Sequence, residues 1–415
     1  MKILFVHQNF PGQYLQLVRH LAAMPGNEIV FITQREDRQM RGVRKIVYKP
    51  AREVAPGTHR YLRDTEAAVL NAQAVARVAL DLRSRGFVPD VMLGHNGWGE
   101  TWYLKDVFKT TPLIGYFEFF YRFEGADVGF EPGPPLPFDD AARVRTKNIG
   151  NLLALDAVDI GQCPTEWQRS LYPEVHRPRL HVVHEGIDTD VCRPNPDATV
   201  SIPGGGLLLT PRDEIITFVA RNLEPYRGFP SFMRSLPAIL AERPNAQVLI
   251  VGGDGTSYGP RPADGLSYRE KMLEELRGQL DLSRVHFLGK VPYPVFLSVL
   301  QVSSVHVYLT YPFVLSWSLL EAMSCGCTVV GSRTPPVEEV ISHGENGWLV
   351  DMFSIDAIAR QVLEVLASQE SQTPIRANAR RHLVENYDLR TRCLPRQLEL
   401  IESAMGRSGE GDRTA

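Results

Sequence analysis

Cysteine is scarce in this chain: five residues in 415, at positions 163, 192, 325, 327 and 393. Their spacing offers no paired framework of the kind that staples small secreted folds, and Cys325-Gly-Cys327 lacks the second ligand pair of a zinc site. Small, reduced core residues are the better reading. An excess of one charge is missing as well. Lys and Arg total 45 against 48 Asp and Glu, a net charge of −3. A general nucleic-acid binder carries a basic excess, so no nucleic-acid partner is expected. No apolar run approaches the roughly 20 residues of a membrane span, so no transmembrane segment is expected and only peripheral membrane contact stays open. The opening MKILFVHQNFPG has too short an apolar stretch for a signal peptide and reads as a first buried strand. Together these absences indicate a cytoplasmic protein.

What is present is an ordinary globular composition, 44% hydrophobic and 22% charged, in a chain long enough for two domains of about 200 residues. The first half alternates strand and helix. Strands are expected at 2–6, 28–33, 43–48, 90–94, 112–117 and 180–184, with a long helix over 63–85. The Pro- and acid-rich stretch 122–140 reads as a loop, and a helix after it carries Ile149, Leu152, Leu153 and Leu155 on one side. HEGIDTDVCRPNPD (184–197) has the Gly, Pro and Asp content of a linker. A second alternation follows, with strands at 214–221, 248–253, 285–291, 305–309, 327–330 and 347–350, and only helix after about 355. Continuous apolar strands between helices are those of parallel sheets covered on both faces. The expectation is an α/β chain of two doubly wound domains, 1–190 and 191–385, then a helix at 386–405 able to cross back to the first domain and a disordered tail at 406–415. Ligand would sit in the cleft between the domains, at the carboxyl ends of the strands.

The segment 305–332, VHVYLTYPFVLSWSLLEAMSCGCTVVGS, reads strand, turn, helix, strand, with one acid, Glu321, in an apolar run. Burying an unpaired carboxylate costs several kcal/mol, so Glu321 needs a polar partner. A ligand hydroxyl pair is one candidate; complementing the helix dipole is the plainer alternative. VARNLEPYRGF (219–229) leaves the first strand of the second half and offers Arg221 and Arg227 beside Gly228. Guanidinium forks suit phosphate oxygens, and glycine admits close backbone approach. In the first half, NFPGQY (9–14) sits at a strand-to-helix turn where a helix start can hold an anion, which places Gly12 against phosphate or sugar. His95 ends a strand. Glu118, in PLIGYFEFFYR, has a plain reading as the ion-pair partner of nearby Arg122.

These motifs resemble, over nearly the whole chain, the retaining nucleotide-sugar glycosyltransferases of family four, which have the two-domain GT-B fold. SLLEAMSCGCTVVGS is similar to that family's P-x-LEAMA-CG-x-PVV pattern, VARNLEPYRGF to GRL-x-P-x-KG, EGIDTD-x-x-RP to the interdomain crossing NG-x-D-x-x-x-F-x-P, and VMLGH to the segment ending in a cleft histidine. The resemblance implies that Glu321 bonds the donor ribose. It places Arg227 on the diphosphate-binding Lys and Asn222 on the Arg, with Arg221 one residue early. Lys290 and Val291 would meet the base, and the backbone at Ser316 and Trp317 the diphosphate. His95 and Glu118 become the catalytic candidates near the transferred sugar, Glu118 standing where the family has a histidine, so that its carboxylate could bond sugar hydroxyls, meet a positive substituent or stabilise positive charge developing at the anomeric carbon. The family's first glutamate, eight positions before Glu321, is absent: position 313 is Phe.

The implied reaction is transfer of a sugar from a nucleoside diphosphate, UDP or GDP, to an acceptor hydroxyl with retention at the anomeric carbon. The acceptor could be carbohydrate, lipid-linked or a small molecule. No cofactor is implied beyond the nucleotide-sugar co-substrate, and no metal: Asp188-Thr-Asp190 superficially resembles a metal-binding Asp-x-Asp but stands in the linker. Two alternatives stay in view, a non-catalytic nucleotide-sugar-binding protein and a nucleotide-sugar 2-epimerase.

Overall fold

The computed structural model describes residues 1–202 and 206–411. The chain divides into two units, Met1–Gly186 together with the segment from Arg390 onward, and Ile187–Leu389.

The first unit holds strands β1 (Lys2–Val6), β2 (Glu28–Thr33), β3 (Val43–Val47), β4 (Val91–His95), β5 (Leu113–Tyr116), β6 (Ile160–Cys163) and β7 (Leu180–Val182). They form one sheet in the order β3-β2-β1-β4-β5-β6-β7, with parallel pairing throughout. The central strands are buried along their length because helices cover both faces, so KILFV and VMLGH need no polar alternation. One face packs Ile3, Phe5, Ile29, Phe31, Val91 and Leu93 against Leu17, Val18 and Leu21 of the helix Leu15–Ala23. Leu400, Ile401 and Ala404 of the last helix, Leu394–Gly411, join the same cluster. The C-terminal helix is therefore part of the first unit's core.

The second unit opens with a short antiparallel pair, β8 (Val200–Ser201) and β9 (Leu208–Leu209). Its main sheet contains β10 (Ile215–Asn222), β11 (Gln247–Gly253), β12 (Val285–Gly289), β13 (Val305–Tyr308), β14 (Val329–Ser332) and β15 (Trp348–Val350), ordered β12-β11-β10-β13-β14-β15 and parallel. In each unit the strand order reverses once, between β1 and β4 and between β10 and β13. At such a reversal the adjoining crossover helices go to opposite faces, which opens a crevice at the carboxyl ends of those two strands.

Four local expectations need correction. Strand β6, sequence IGQC, was not foreseen: four residues with a glycine and a glutamine carry too little apolar signal. In the helix Ile149–Ala157, Ile149, Leu152 and Leu153 are exposed while Ala154 and Leu155 are buried. Ile149, Leu152 and Leu153 do share a face by their i, i+3, i+4 spacing, but it is the outer one, and Leu155 lies about 200° round the helix from Leu153. The helix Phe138–Lys147 begins inside the stretch expected to be loop to 140. Of the expected tail, residues to Gly411 are helical, and 412–415 lie outside the described residues.

Candidate functional site

At the reversal of the first sheet, β1 is followed directly by His7 and β4 ends in His95. His7 Nδ1 accepts the Asn9 amide at 2.9 Å, and His95 Nδ1 accepts the Gly97 amide at 3.0 Å. A nitrogen that accepts carries no proton, so each neutral ring bears its N–H on Nε2. Burial, then the neighbouring His95, hold His7 well below the usual histidine range. Its Nε2 meets Gln13 Oε1 at 2.6 Å, and Gln13 Nε2 donates to Glu118 Oε1 at 3.0 Å. His95 stacks on Trp98 and on Tyr116, with ring centroids 4.7 and 5.2 Å away. Its buried Nε2 has no hydrogen-bond partner and stands 3.7 Å from Glu118 Oε2. Glu118 is about one-third exposed, with a side-chain accessibility of 35%. A fixed N–H donor and an accessible carboxylate thus stand together, an arrangement suited to a hydroxyl that both accepts and donates. Gly12 lies directly over His7: its φ is +58°, and a Cβ there would stand 2.4 Å from His7 Nε2. Only glycine combines that backbone with that contact.

In the second unit Arg227 follows β10 in a short 3-10 turn, Pro225–Arg227, and its side chain returns across the end of β13. It is buried, and Nη1 donates to Thr310 Oγ1 (2.8 Å), Val314 O (3.0 Å) and Tyr308 Oη (3.4 Å). The Ser316 amide also donates to Tyr308 Oη, at 2.9 Å. Ser316 caps the helix Trp317–Ser324, its side chain accepting from the Ser318 amide. The phenol of Tyr308 therefore joins the guanidinium to the start of this helix. Gly228, φ +67°, packs so closely that a Cβ would lie 2.3 Å from Leu309 Cβ. The close approach it permits is helix to strand.

Two further groups stand at the same strand ends. Asn222, the last residue of β10, donates to Ser257 Oγ at 2.7 Å and keeps a buried Oδ1 without a partner. A Cβ on Gly253 would lie 2.8 Å from that oxygen and 3.3 Å from Lys290 Nζ, so the exposed Lys290 shares the place. Arg221, also exposed, precedes Asn222 on β10. Glu321 lies on the second turn of the helix Trp317–Ser324, partly buried, and accepts from Tyr293 Oη at 2.8 Å. Burial pushes its carboxyl up to about 7, against the opposing Tyr293 bond. Val291 is partly buried, two residues before Tyr293.

Two family models match this chain, Glycosyl transferase family 4 group over residues 25–192 and Glycosyl transferases group 1 over residues 208–382. The chain belongs to the family-four glycosyltransferases. The glycosyltransferase is 26% identical over 286 residues to the GDP-mannose-dependent alpha-(1-6)-phosphatidylinositol monomannoside mannosyltransferase of Mycolicibacterium smegmatis, an alignment covering 65% of this chain and 66% of that protein. It is 27% identical over 244 residues to the D-inositol 3-phosphate glycosyltransferase of the same organism, covering 58% and 50%. The matched region thus spans just under two thirds of the first relative and half of the second. Among solved structures, sucrose-phosphate synthase from Thermosynechococcus elongatus superposes with a TM-score of 0.67 at 16% identity, covering 100% of this chain and 98% of that one. Anabaena HepE in complex with UDP gives 0.64 at 15% identity, covering 97% and 100%. The fold is GT-B.

In this glycosyltransferase, Gly12, His95 and Glu118 come together in the first unit, as Arg227, Gly228, Ser316 and Trp317 do around Tyr308 and the helix start in the second. Asn222 and Lys290 form a neighbouring pair, and Glu321 is tied to Tyr293. Residues unmarked by sequence reasoning are His7, Gln13, Trp98, Tyr293 and Tyr308. For His7 a signal existed, a polar residue directly after the first buried strand. The Asp188 carboxylate accepts from the Asp190 and Val191 amides at 3.2 and 3.3 Å, which makes it a turn-former in the linker.

Proposed function

We propose that this glycosyltransferase moves a sugar from a nucleoside-diphosphate donor, UDP or GDP, to an acceptor hydroxyl with retention at the anomeric carbon and no metal. The observation that carries the reading is the buried guanidinium of Arg227 at the switch between β10 and β13, tied through Tyr308 to the start of the helix bearing Glu321. Arg227 and the helix start neutralise the departing diphosphate, with Arg221, Asn222 and Lys290 at the same strand ends. Glu321 accepts the ribose hydroxyls, and the backbone around Val291 meets the base. The bond from the anomeric carbon to the diphosphate oxygen breaks as the acceptor oxygen attaches, and the acceptor proton passes to the leaving diphosphate. In the first unit, the His95 N–H and the Glu118 carboxylate bind sugar hydroxyls. The names of the two mycobacterial relatives, one acting on a phosphatidylinositol mannoside and one on D-inositol 3-phosphate, support a lipid-linked or small polyol acceptor. The compartment proposed is the cytoplasm, with which the burial of all five cysteines agrees. Incubation of UDP and GDP sugars with inositol, inositol 3-phosphate and phosphatidylinositol as trial acceptors tests this. Free nucleoside diphosphate is expected; an isomerised sugar, or saturable binding without turnover, would reject transfer.

A further inference from the structure

Beside Arg227 the second unit builds an aromatic wall. Tyr258 lies under the guanidinium, 5.1 Å from its carbon to the ring centroid. Phe313 packs on Tyr258 at 4.9 Å and on Tyr226 at 5.7 Å, and Tyr226 stacks on Tyr311 at 4.7 Å. Phe313 and Tyr311 are buried, while Tyr226 and Tyr258 present partly exposed rims. The carboxylate in this stretch of chain, Glu224, is turned away from any ligand. It is fully buried, and its two oxygens accept the amides of Ser257, Tyr258 and Gly259 at 3.0–3.2 Å. Glu224 thereby fixes the loop that carries Tyr258 against Phe313. The wall is a constructed feature, and its acid is spent on the construction.

We infer that this wall is the donor-sugar subsite and selects sugars carrying an apolar substituent, an acetamido methyl or a deoxygenated carbon, over fully hydroxylated hexoses. The inference rests on the donor-binding reading of Arg227. A sugar joined to a diphosphate held there stands one phosphate away from the guanidinium, within reach of Tyr258, whose ring is 5.1 Å from it, and of Phe313 packed on that ring. Aromatic faces gain from C–H and methyl groups and offer a hydroxyl pair no charged acceptor. A hydroxyl buried against them loses water without replacement. Apolar pockets discriminate such differences by about 10- to 100-fold.

The test compares UDP-N-acetylglucosamine with UDP-glucose, and GDP-6-deoxymannose with GDP-mannose, by calorimetric affinity and by nucleoside-diphosphate release. Within the accepted base, the substituted sugar is expected to bind about 10-fold or more tighter. Phe313→Glu should reverse that order and leave affinity for the bare nucleoside diphosphate unchanged. Should Phe313→Glu fail to fold, Phe313→Leu keeps the side chain apolar, and its preference should shrink by about 2- to 10-fold, the worth of an aromatic contact. Equal or tighter binding of the plain hexose by the natural chain overturns the inference, as does an unchanged ratio in the variants, while nucleoside-diphosphate binding would still uphold the donor-site reading. Failure to bind the bare diphosphates or their sugars would reject both.

Discussion

A histidine whose Nδ1 accepts a backbone amide is committed to presenting an N–H from its other nitrogen. Three strand-end histidines of the first unit do this two residues ahead: His7, His95, and His184, which accepts from the Gly186 amide at 2.9 Å. His95 is thereby a donor and not a base. His95→Phe retains ring stacking on Trp98 and Tyr116 but removes the N–H. We expect kcat to fall about 10- to 100-fold, with affinity for nucleoside diphosphate unchanged, measured by steady-state kinetics beside calorimetry. Glu321 makes the complementary case. With its carboxyl pushed up to about 7 by burial, it is half protonated in the free protein near neutrality, and only the carboxylate accepts both ribose hydroxyls. Affinity for nucleoside diphosphate should rise as pH increases from 6 to 8 and then level off. Glu321→Gln should lose about 2–3 kcal/mol of binding, the worth of hydrogen bonds to a charged group, and flatten that rise.

Elements set how closely these groups can meet. The turn Pro225–Arg227 followed by the helix Phe229–Glu242 depends on Gly228 at φ +67°, pressed against Leu309. Gly228→Ala adds both an unfavourable backbone conformation and a clash, and should cost about 2–4 kcal/mol in urea unfolding. The long apolar strands around each switch point were legible because KILFV, VMLGH and VHVYL have no other use for such residues. The LEAM-type helix and the Arg–Gly turn were legible because charges in apolar settings demand partners. What the sequence concealed were contacts between residues far apart in the chain. Nothing local marks Tyr293 as the partner of Glu321, or Tyr308 as the joint between Arg227 and Ser316. Strand β6 was too short and too polar to register, and the leucines at 152 and 153 suggested a core face where the helix shows its outer side. Phe313 was visible only as a missing acid; its packing with Tyr226 and Tyr258 belongs to tertiary structure.

Across the whole molecule, buried acids and buried histidines pull the pH response in opposite directions. Glu100 in the first unit is fully buried, accepts from Tyr48 Oη at 2.8 Å, and has its other oxygen unpartnered. Burial raises its carboxyl from the ordinary 4.5 to about 7, as with Glu321 in the second unit. An acid raised in the folded state holds its proton where the unfolded chain has released it. Its contribution to stability is therefore present below about 4.5 and is lost as pH rises to about 7, by on the order of 3 kcal/mol for a shift of this size. Buried His7 and His306, held below the usual histidine range, act in the opposite sense as pH rises. The Glu100 contribution is therefore read as a difference: between pH 4.5 and 7 the stability of the natural chain should fall relative to that of Glu100→Gln in thermal unfolding. The split of the core has its own test. Removing the chain from Arg390 onward takes Leu400, Ile401 and Ala404 from the first unit's cluster. Loss of several buried aliphatic side chains costs several kcal/mol, so calorimetry should show the first unit's transition lowered or abolished while that of Ile187–Leu389 persists.

The last helix also fixes an order of events during synthesis. The ribosome delivers Met1–Gly186 first, yet the residues that finish its hydrophobic cluster emerge only after the whole of Ile187–Leu389 has been made. At about 5–20 residues per second, the nascent first unit waits on the order of ten seconds or more with one sheet face covered by the helix Leu15–Ala23 but lacking Leu400, Ile401 and Ala404. The middle of the chain can be complete before its beginning, and chaperones that shield apolar surface would meet this protein at its N-terminal half.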